Sequence, residues 1–588
     1  MAEGVIQYAV SLAAVHSRYL GVRMTLPASA EARTLSLPAW IPGSYLIRDF
    51  ARHLVGMTAC QADGMPVTLQ PLDQQRWLLP ATAVPVHIDY LVYGNDFSVR
   101  TTHVDSSHAF FNGTSAFLRV HGAEDWQHTV HLDSTGAPEP WRVATTLPVV
   151  AADDRGFGQY AATDYESLID YPVEIGAWRE VTWLAGEVPH RLVVNHAHPQ
   201  TDLARIATDL AEVCATVQRF WGEVPFKRYL FLLSLDGKGY GGLEHRDSTA
   251  LIFPREDLPR RGETGVSAGY QRFLSLCAHE YFHAWLVKRI RPAAFVGLPL
   301  AAPATTRLLW LFEGFTSYFD DYLVLKAGKV SPTQYLTALA ETINRAVRGK
   351  GWHRQTLEES SFYAWTRFYQ QDENAVNAIV SYYTRGALLA LMLDLTLRLA
   401  GESLAARMRQ IWQIHREMPV EAGEAIERLL GAAEYPAVAA LLAEGLRSTR
   451  PMAFVERLAE FGVTCTPIAE MPTQAADWGA TIGGEDLRVA RVQLVHEDRP
   501  AARAGLVAGD EIVALDGFAV GGADFLLRSA RYQPGDTVCL DGFRQGRLMR
   551  WTLQLEPPVC NQWRLALCDD AGMDEAMRAR RAAWLAGA

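Results

Sequence analysis

The hydrophobic period changes twice along this chain, which restricts it to a multidomain α+β protein. Up to about residue 170, short runs alternate at a period of two. Tyr19-Leu-Gly-Val-Arg-Met-Thr-Leu26 and Pro85-Val-His-Ile-Asp-Tyr-Leu-Val92 are examples, cut by Gly, Pro and Asp turns. Near residue 200 the period becomes helical: Leu203, Ile206, Leu210, Val213, Val217 and Phe220 fall on one stripe of Asp202 to Trp221. Helical segments then dominate to about 460. Ser331-Pro-Thr-Gln334 starts one of them, with Ser as cap, Pro at the first turn and Gln able to close a capping box. One strand-like run, Tyr229 to Leu235, interrupts early and leads into the glycine-rich Gly237 to Gly242. From about 478 to 556 the chain is β-rich again, and a last amphipathic helix lies near Met573 to Leu585.

At 588 residues the chain has room for three or four domains with full cores. Lys and Arg total 55 against 66 Asp and Glu, a net charge of −11, so nucleic acid and anionic membranes have no electrostatic support as partners. Seven cysteines, with no CxxC spacing, do not read as a disulfide framework or a thiolate metal site. The start carries Glu3 where a signal peptide wants a basic residue, and no apolar run reaches membrane-spanning length. The expected location is the cytoplasm.

The chemistry concentrates in His279-Glu-Tyr-Phe-His283. On a helix, residues i and i+4 share a face, so both imidazoles can bind one metal. Glu280 lies beside them, where a carboxylate can take a proton from metal-activated water. Gln271 to Ala278 leads in without a breaker, and Lys288, Arg289 and Pro292 mark the helix end. A catalytic zinc takes three protein ligands. The best third donor is Glu313, a lone acid in the aromatic, apolar stretch Leu309 to Phe319. Ser317, Asp320 and Asp321 follow it as candidates to hydrogen-bond the ligands.

HExxH followed by a distant E-G-F-T resembles the gluzincin metallopeptidases, and the closer resemblance is to the glycyl aminopeptidase family, metallopeptidase family sixty-one. Its hallmarks run along nearly the whole chain: Trp40-Ile-Pro-Gly-Ser-Tyr-Leu-Ile-Arg-Asp-Phe50, Gly241-Gly-Leu-Glu-His-Arg-Asp-Ser-Thr249, the HExxH helix with Lys288-Arg-Ile-Arg-Pro292, the E-G-F-T segment, and Ser381-Tyr-Tyr-Thr-Arg-Gly386. Arg499 to Leu506 with Gly509 to Gly517 resembles a PDZ domain. His283 and Glu313 stand 30 positions apart, a longer spacing than in other aminopeptidase gluzincins.

The resemblance implies an N-terminal β-sheet domain over 1–170, a thermolysin-like catalytic domain over 171–330 and a helical domain over 331–465 completing the active site. A PDZ-like domain over 470–557 and a helical tail over 558–588 follow. It further implies one Zn2+ per chain on His279, His283 and Glu313, with Glu280 as general base. Glu244 would hold the substrate's free α-amine, with Gly241 and Gly242 letting the peptide backbone approach. The strand Leu230 to Leu235 would offer its edge to that peptide. Tyr383 would donate to the oxyanion, with adjacent Tyr382 its rival. Arg48 and Asp49 read as a local ion pair, and His245 as a structural residue.

The implied activity is a zinc aminopeptidase removing Gly, then Ala, from peptides with a free N-terminus. The PDZ-like domain would take a peptide or chain terminus, with Trp478-Gly-Ala480 a candidate carboxylate loop. A zinc endopeptidase guided by that domain, and an inactive peptide-binding protein, are the alternatives. Glu244 argues against the first, and the intact ligands and Glu280 against the second.

Overall fold

The computed structural model describes residues 4–297, 299–470, 474–486 and 488–586. Among the described residues, 4–176 form three β-sheets of eight, four and four strands. In the largest, β1 (Val5–Ser11), β2 (Tyr19–Leu26) and β3 (Val86–Tyr93) lie side by side. The period of two is realised directly: Leu20, Val22, Met24 and Leu26 of β2 and Val86, Ile88, Tyr90 and Val92 of β3 are buried, while the residues between them are more exposed. In a smaller sheet the hairpin β4 (Thr102–Val104) and β5 (His108–Phe111) pairs with β6 (Val173–Gly176). The N-terminal sheets therefore continue past the expected boundary at 170.

A five-stranded sheet follows. It contains β7 (Arg179–Ala185), β8 (Val188–Asn195), β9 (Tyr229–Asp236), β10 (Gly241–Glu244) and β11 (Ser248–Pro254), in the order β7-β8-β9-β11-β10. A helix, α1 (Leu203–Trp221), is inserted between β8 and β9; Asp202 caps it and Gly222 ends it in the left-handed region. β9 runs parallel to both its neighbours and is nearly all buried, as its unbroken apolar run requires. It is therefore an interior strand, not the free edge expected of Leu230 to Leu235. The edges are β7 and β10, and β10 is the glycine-bearing segment itself.

Helices cover this sheet and build the rest of the core. α2 (Ala268–Phe282) is capped by the Ser267 side chain and carries the HExxH residues through its last turn. Trp310–Gly314 winds as a single π turn and passes into α3 (Phe315–Lys326). α4 (Pro332–Val347) begins with the expected capping box between Ser331 and Gln334. α5 (Tyr382–Leu399) packs on the π turn at two glycines. A Cβ on Gly314 would lie 2.6 Å from Gly386 Cα, and one on Gly386 would lie 2.8 Å from the Trp310 carbonyl oxygen.

The segment from Ala476 to Leu555 has its own apolar core around Trp478, Ile512, Phe525 and Trp551. The chain then returns: β12 (Val463–Ile468) pairs with β13 (Gln562–Leu567), and Trp584 of α6 (Glu575–Leu585) is buried in the main core. All seven cysteines are free. No helix among the described residues is long and apolar enough to cross a membrane.

Candidate active site

α2 places His279 and His283 one turn apart, and their Nε2 atoms stand 3.1 Å from each other. The outer nitrogens are already engaged. His279 Nδ1 meets Asp320 Oδ2 at 3.0 Å, and His283 Nδ1 meets the Leu286 carbonyl at 2.9 Å. With Nδ1–H donating outward in each ring, both inner nitrogens present lone pairs to one point. Glu313 Oε2 completes the set, 3.3 Å from His283 Nε2 and 3.6 Å from His279 Nε2.

Three convergent lone-pair donors in a buried site repel one another unless a cation lies between them. The electrostatics agree. Burial opposes charge on both imidazoles, but hydrogen bonding and attraction from Asp320 and Glu313 at His279, and from Glu313 at His283, outweigh it. The donor set, two imidazoles and a carboxylate, fits a zinc ion with one position left open.

The π turn explains how Glu313 reaches this point. An i→i+5 turn re-aims a side chain relative to the helix that follows, and such turns recur at functional sites. Tyr45, from the N-terminal region, donates its hydroxyl to Glu313 Oε1 at 3.3 Å. That leaves Oε2 for the histidines.

Glu280 sits beside the cluster and is buried, with no hydrogen-bond partner for Oε2 among the described residues. Burial raises its affinity for a proton, His279 opposes, and the nearby Glu244 charge raises it further. Gly242 makes room for it: a Cβ there would lie 2.2 Å from Glu280 Oε1. Glu244 is also buried, and its Oε1 has no partner among the described residues. One carboxylate oxygen of Glu244, one of Glu280 and one His283 nitrogen lie within 4.8 Å of each other.

These groups open on a cleft of about 1080 Å³. Gly241, Gly242 and Glu244 line one wall, on the free edge β10. Arg100, from the N-terminal region, reaches the same wall and lies 3.4 Å from the Gly242 carbonyl oxygen. Tyr383 also lines the cleft, half-buried, with its ring centroid 6.4 Å from that of His279. Its hydroxyl is 3.5 Å from that of Tyr369. Tyr382 is fully buried, and both tyrosines pack on Phe368.

Of the three acids and hydroxyls beyond Glu313, Asp320 touches a ligand histidine. Asp321 accepts from Ser275, and Ser317 faces the cleft. His245 is buried, 3.4 Å from Asp170 Oδ1. Arg48 and Asp49 do not pair. Arg48 donates to the Leu46 carbonyl and Ser44 Oγ, while Asp49 is exposed at a left-handed backbone position (φ 49°). Tyr45, Arg100 and Tyr369 escape the sequence reading. Tyr45 lies in the Trp40–Phe50 hallmark, but nothing local marks Arg100 or Tyr369.

A sheet whose glycine-bearing edge strand borders the cleft, a helix carrying two histidines, and a carboxylate brought to them by a separate π turn define a metallopeptidase. The relationship is specific. The Peptidase M61 N-terminal domain matches residues 7–177, and the M61 glycyl aminopeptidase family matches residues 272–389. The solved structure of an aminopeptidase N family protein from Idiomarina loihiensis is 36% identical. It superposes with a TM-score of 0.92, over 99% of this chain and 100% of that one. The chain therefore belongs to the M61 glycyl aminopeptidase family. It also shows similarity to the M1 zinc metallopeptidase of Deinococcus radiodurans, at 14% identity and a TM-score of 0.48, over 76% of this chain and 94% of that one. No curated protein matches.

Proposed function

We propose that the protein is a zinc aminopeptidase that removes small N-terminal residues, glycine and then alanine, from peptides. His279, His283 and Glu313 would hold one zinc ion per chain. When bound, the ion supplies Lewis-acid chemistry, polarising both a water molecule and the scissile carbonyl. Glu280 is the general base: it takes a proton from the attacking water and passes it to the leaving amine. Tyr383 donates its phenolic hydrogen to the carbonyl oxygen as negative charge builds there. The substrate backbone lies along β10 as an added strand, which the glycines at 241 and 242 allow. The segment 470–557 is a PDZ-like domain for a peptide or chain terminus, and the protein acts in the cytoplasm.

The observation that carries the aminopeptidase reading is Glu244. Its buried carboxylate offers an unpartnered oxygen within one residue's reach of Glu280 and His283. That oxygen suits the cationic N-terminus of a peptide. Gly43 lies against the same carboxylate, with room for no Cβ between them. The small-residue preference rests on the family resemblance.

The test is a paired kinetic measurement on one glycine-initiated peptide, free and N-acetylated, with zinc removed and restored. Cleavage of the free peptide alone, lost with a chelator and regained with zinc, is expected. Comparable rates on both peptides would put the endopeptidase reading in its place.

A further inference from the structure

The N-terminal region holds a second cluster of metal-binding groups, separate from the cleft. The β4–β5 hairpin builds it by register. His103 and Asp105 are two residues apart, so they share one face of the hairpin. His108 stands opposite Asp105, whose backbone N–H donates to the His108 carbonyl, and joins that face. One ring nitrogen from each histidine and one Asp105 oxygen lie within 4.8 Å of each other.

The hydrogen-bonding pattern of the cluster suits a metal site. His108 Nδ1 is 2.8 Å from Glu174 Oε1 of β6, a carboxylate that is itself fully buried. That bond holds the proton on Nδ1 and leaves His108 Nε2 as a bare lone pair, with no partner among the described residues. His103 Nε2 faces Asp105 Oδ2 at 3.1 Å, and its Nδ1 is also without a partner among them. Both histidines are buried, so two ring nitrogens without a partner among the described residues sit inside the protein.

Asp105 is fixed from behind, because its other oxygen accepts from Ser107 N, Ser107 Oγ and His108 N. Gly176, opposite His108 in the sheet, leaves space for the histidine: a Cβ there would lie 2.9 Å from His108 Cβ. The His196 ring stands edge-on 5.1 Å away and can supply or shield a further position.

We infer that this hairpin binds a second divalent cation of the zinc class through His103, Asp105 and His108, with Glu174 orienting His108. Imidazole and carboxylate donors together suit zinc and its first-row neighbours rather than calcium or magnesium.

Full-length protein is stripped of metal, equilibrated with zinc and counted by elemental analysis. Two ions per chain are expected in the wild type. One is expected in His103→Ala/Asp105→Asn, which leaves the buried His108–Glu174 pair intact, and one in His279→Ala/His283→Ala. A wild-type count of one overturns the inference, as does an unchanged count in the hairpin variant. Cobalt titration of the wild type checks the same point without any substitution. Two successive sets of visible d–d bands support the second site, and a single set removes it.

Discussion

Gly43 and Glu244 are in direct contact across the boundary between the N-terminal sheets and the catalytic region. A Cβ on Gly43 would lie 2.5 Å from Glu244 Oε1 and 2.6 Å from Oε2, and Gly43 holds a φ of +94° that L side chains rarely adopt. Gly43→Ala must therefore shift either the loop or the carboxylate. The expected outcome is a rise in KM for free-amine peptides of about 10-fold or more, equivalent to ~1.4 kcal/mol of binding. Metal content should be unchanged. Glu244→Ala should be worse, by roughly 30- to 5000-fold in kcat/KM, the range for removing one partner of a desolvated charge pair (~2–5 kcal/mol).

Glu280 follows His279 directly, yet its carboxylate lies outside the His279, His283 and Glu313 donor set. Glu280→Gln should keep its zinc and lose at least ~100-fold in kcat, the scale of general acid–base catalysis. Metal analysis of the same preparation checks the first half. A variant that lost zinc together with activity would make Glu280 a ligand instead.

The two adjacent tyrosines of α5 should separate cleanly. Tyr383→Phe, on the cleft wall, is expected to lose ~100- to 1000-fold in kcat, the scale of one oxyanion donor. Tyr382→Phe, inside the core, should change kcat by less than about 3-fold. The reverse order would transfer the role to Tyr382.

His190 gives the fold a pH dependence that can be read without substrate. Its pKa is pushed down to about 4, chiefly by burial, while the Nδ1–H bond to the Val188 carbonyl works the other way. Nε2 accepts from the Tyr281 hydroxyl at 2.9 Å, so the ring supports α2 beside Glu280. A histidine whose folded pKa lies below the unfolded value near 6.5 adds stability that is present above pH ~6.5. That stability is lost as pH falls towards 4, for a total of ~3 kcal/mol. The midpoint of thermal unfolding should therefore drop between pH 7.5 and 5. In His190→Gln, which keeps an acceptor but cannot titrate, it should drop less.

Much of this architecture was legible because it is local. Strands such as Tyr19–Leu26 declare themselves by alternation, and α1, α2 and α4 by caps and apolar stripes. The HExxH spacing brings His279 and His283 together on any helix. What stayed hidden depends on topology. β9 looked like an edge because its apolar run precedes glycines, but sheet order, which periodicity does not encode, puts β11 beside it and makes β10 an edge. Tyr45 reaches Glu313, and Arg100 the cleft wall, only because distant loops fold back onto the site. The π turn at Trp310–Gly314 shares the composition of a helix, so its re-aiming of Glu313 leaves no local signature.

The contact between Gly314 and Gly386 sets a dimension in the cleft that no side chain controls. Glu313 precedes one of these glycines and Tyr383 lies one turn before the other, so their separation is a backbone-to-backbone spacing, indifferent to how the surrounding core repacks. The residues lining the rest of the cleft can then be exchanged to accept a different N-terminal side chain while the carboxylate and the phenol keep their mutual geometry. Tolerance to change and intolerance of it are thereby assigned to different parts of one cavity. Selection for new specificity has the wall to work on, and any β-carbon at position 314 or 386 would splay the two groups apart.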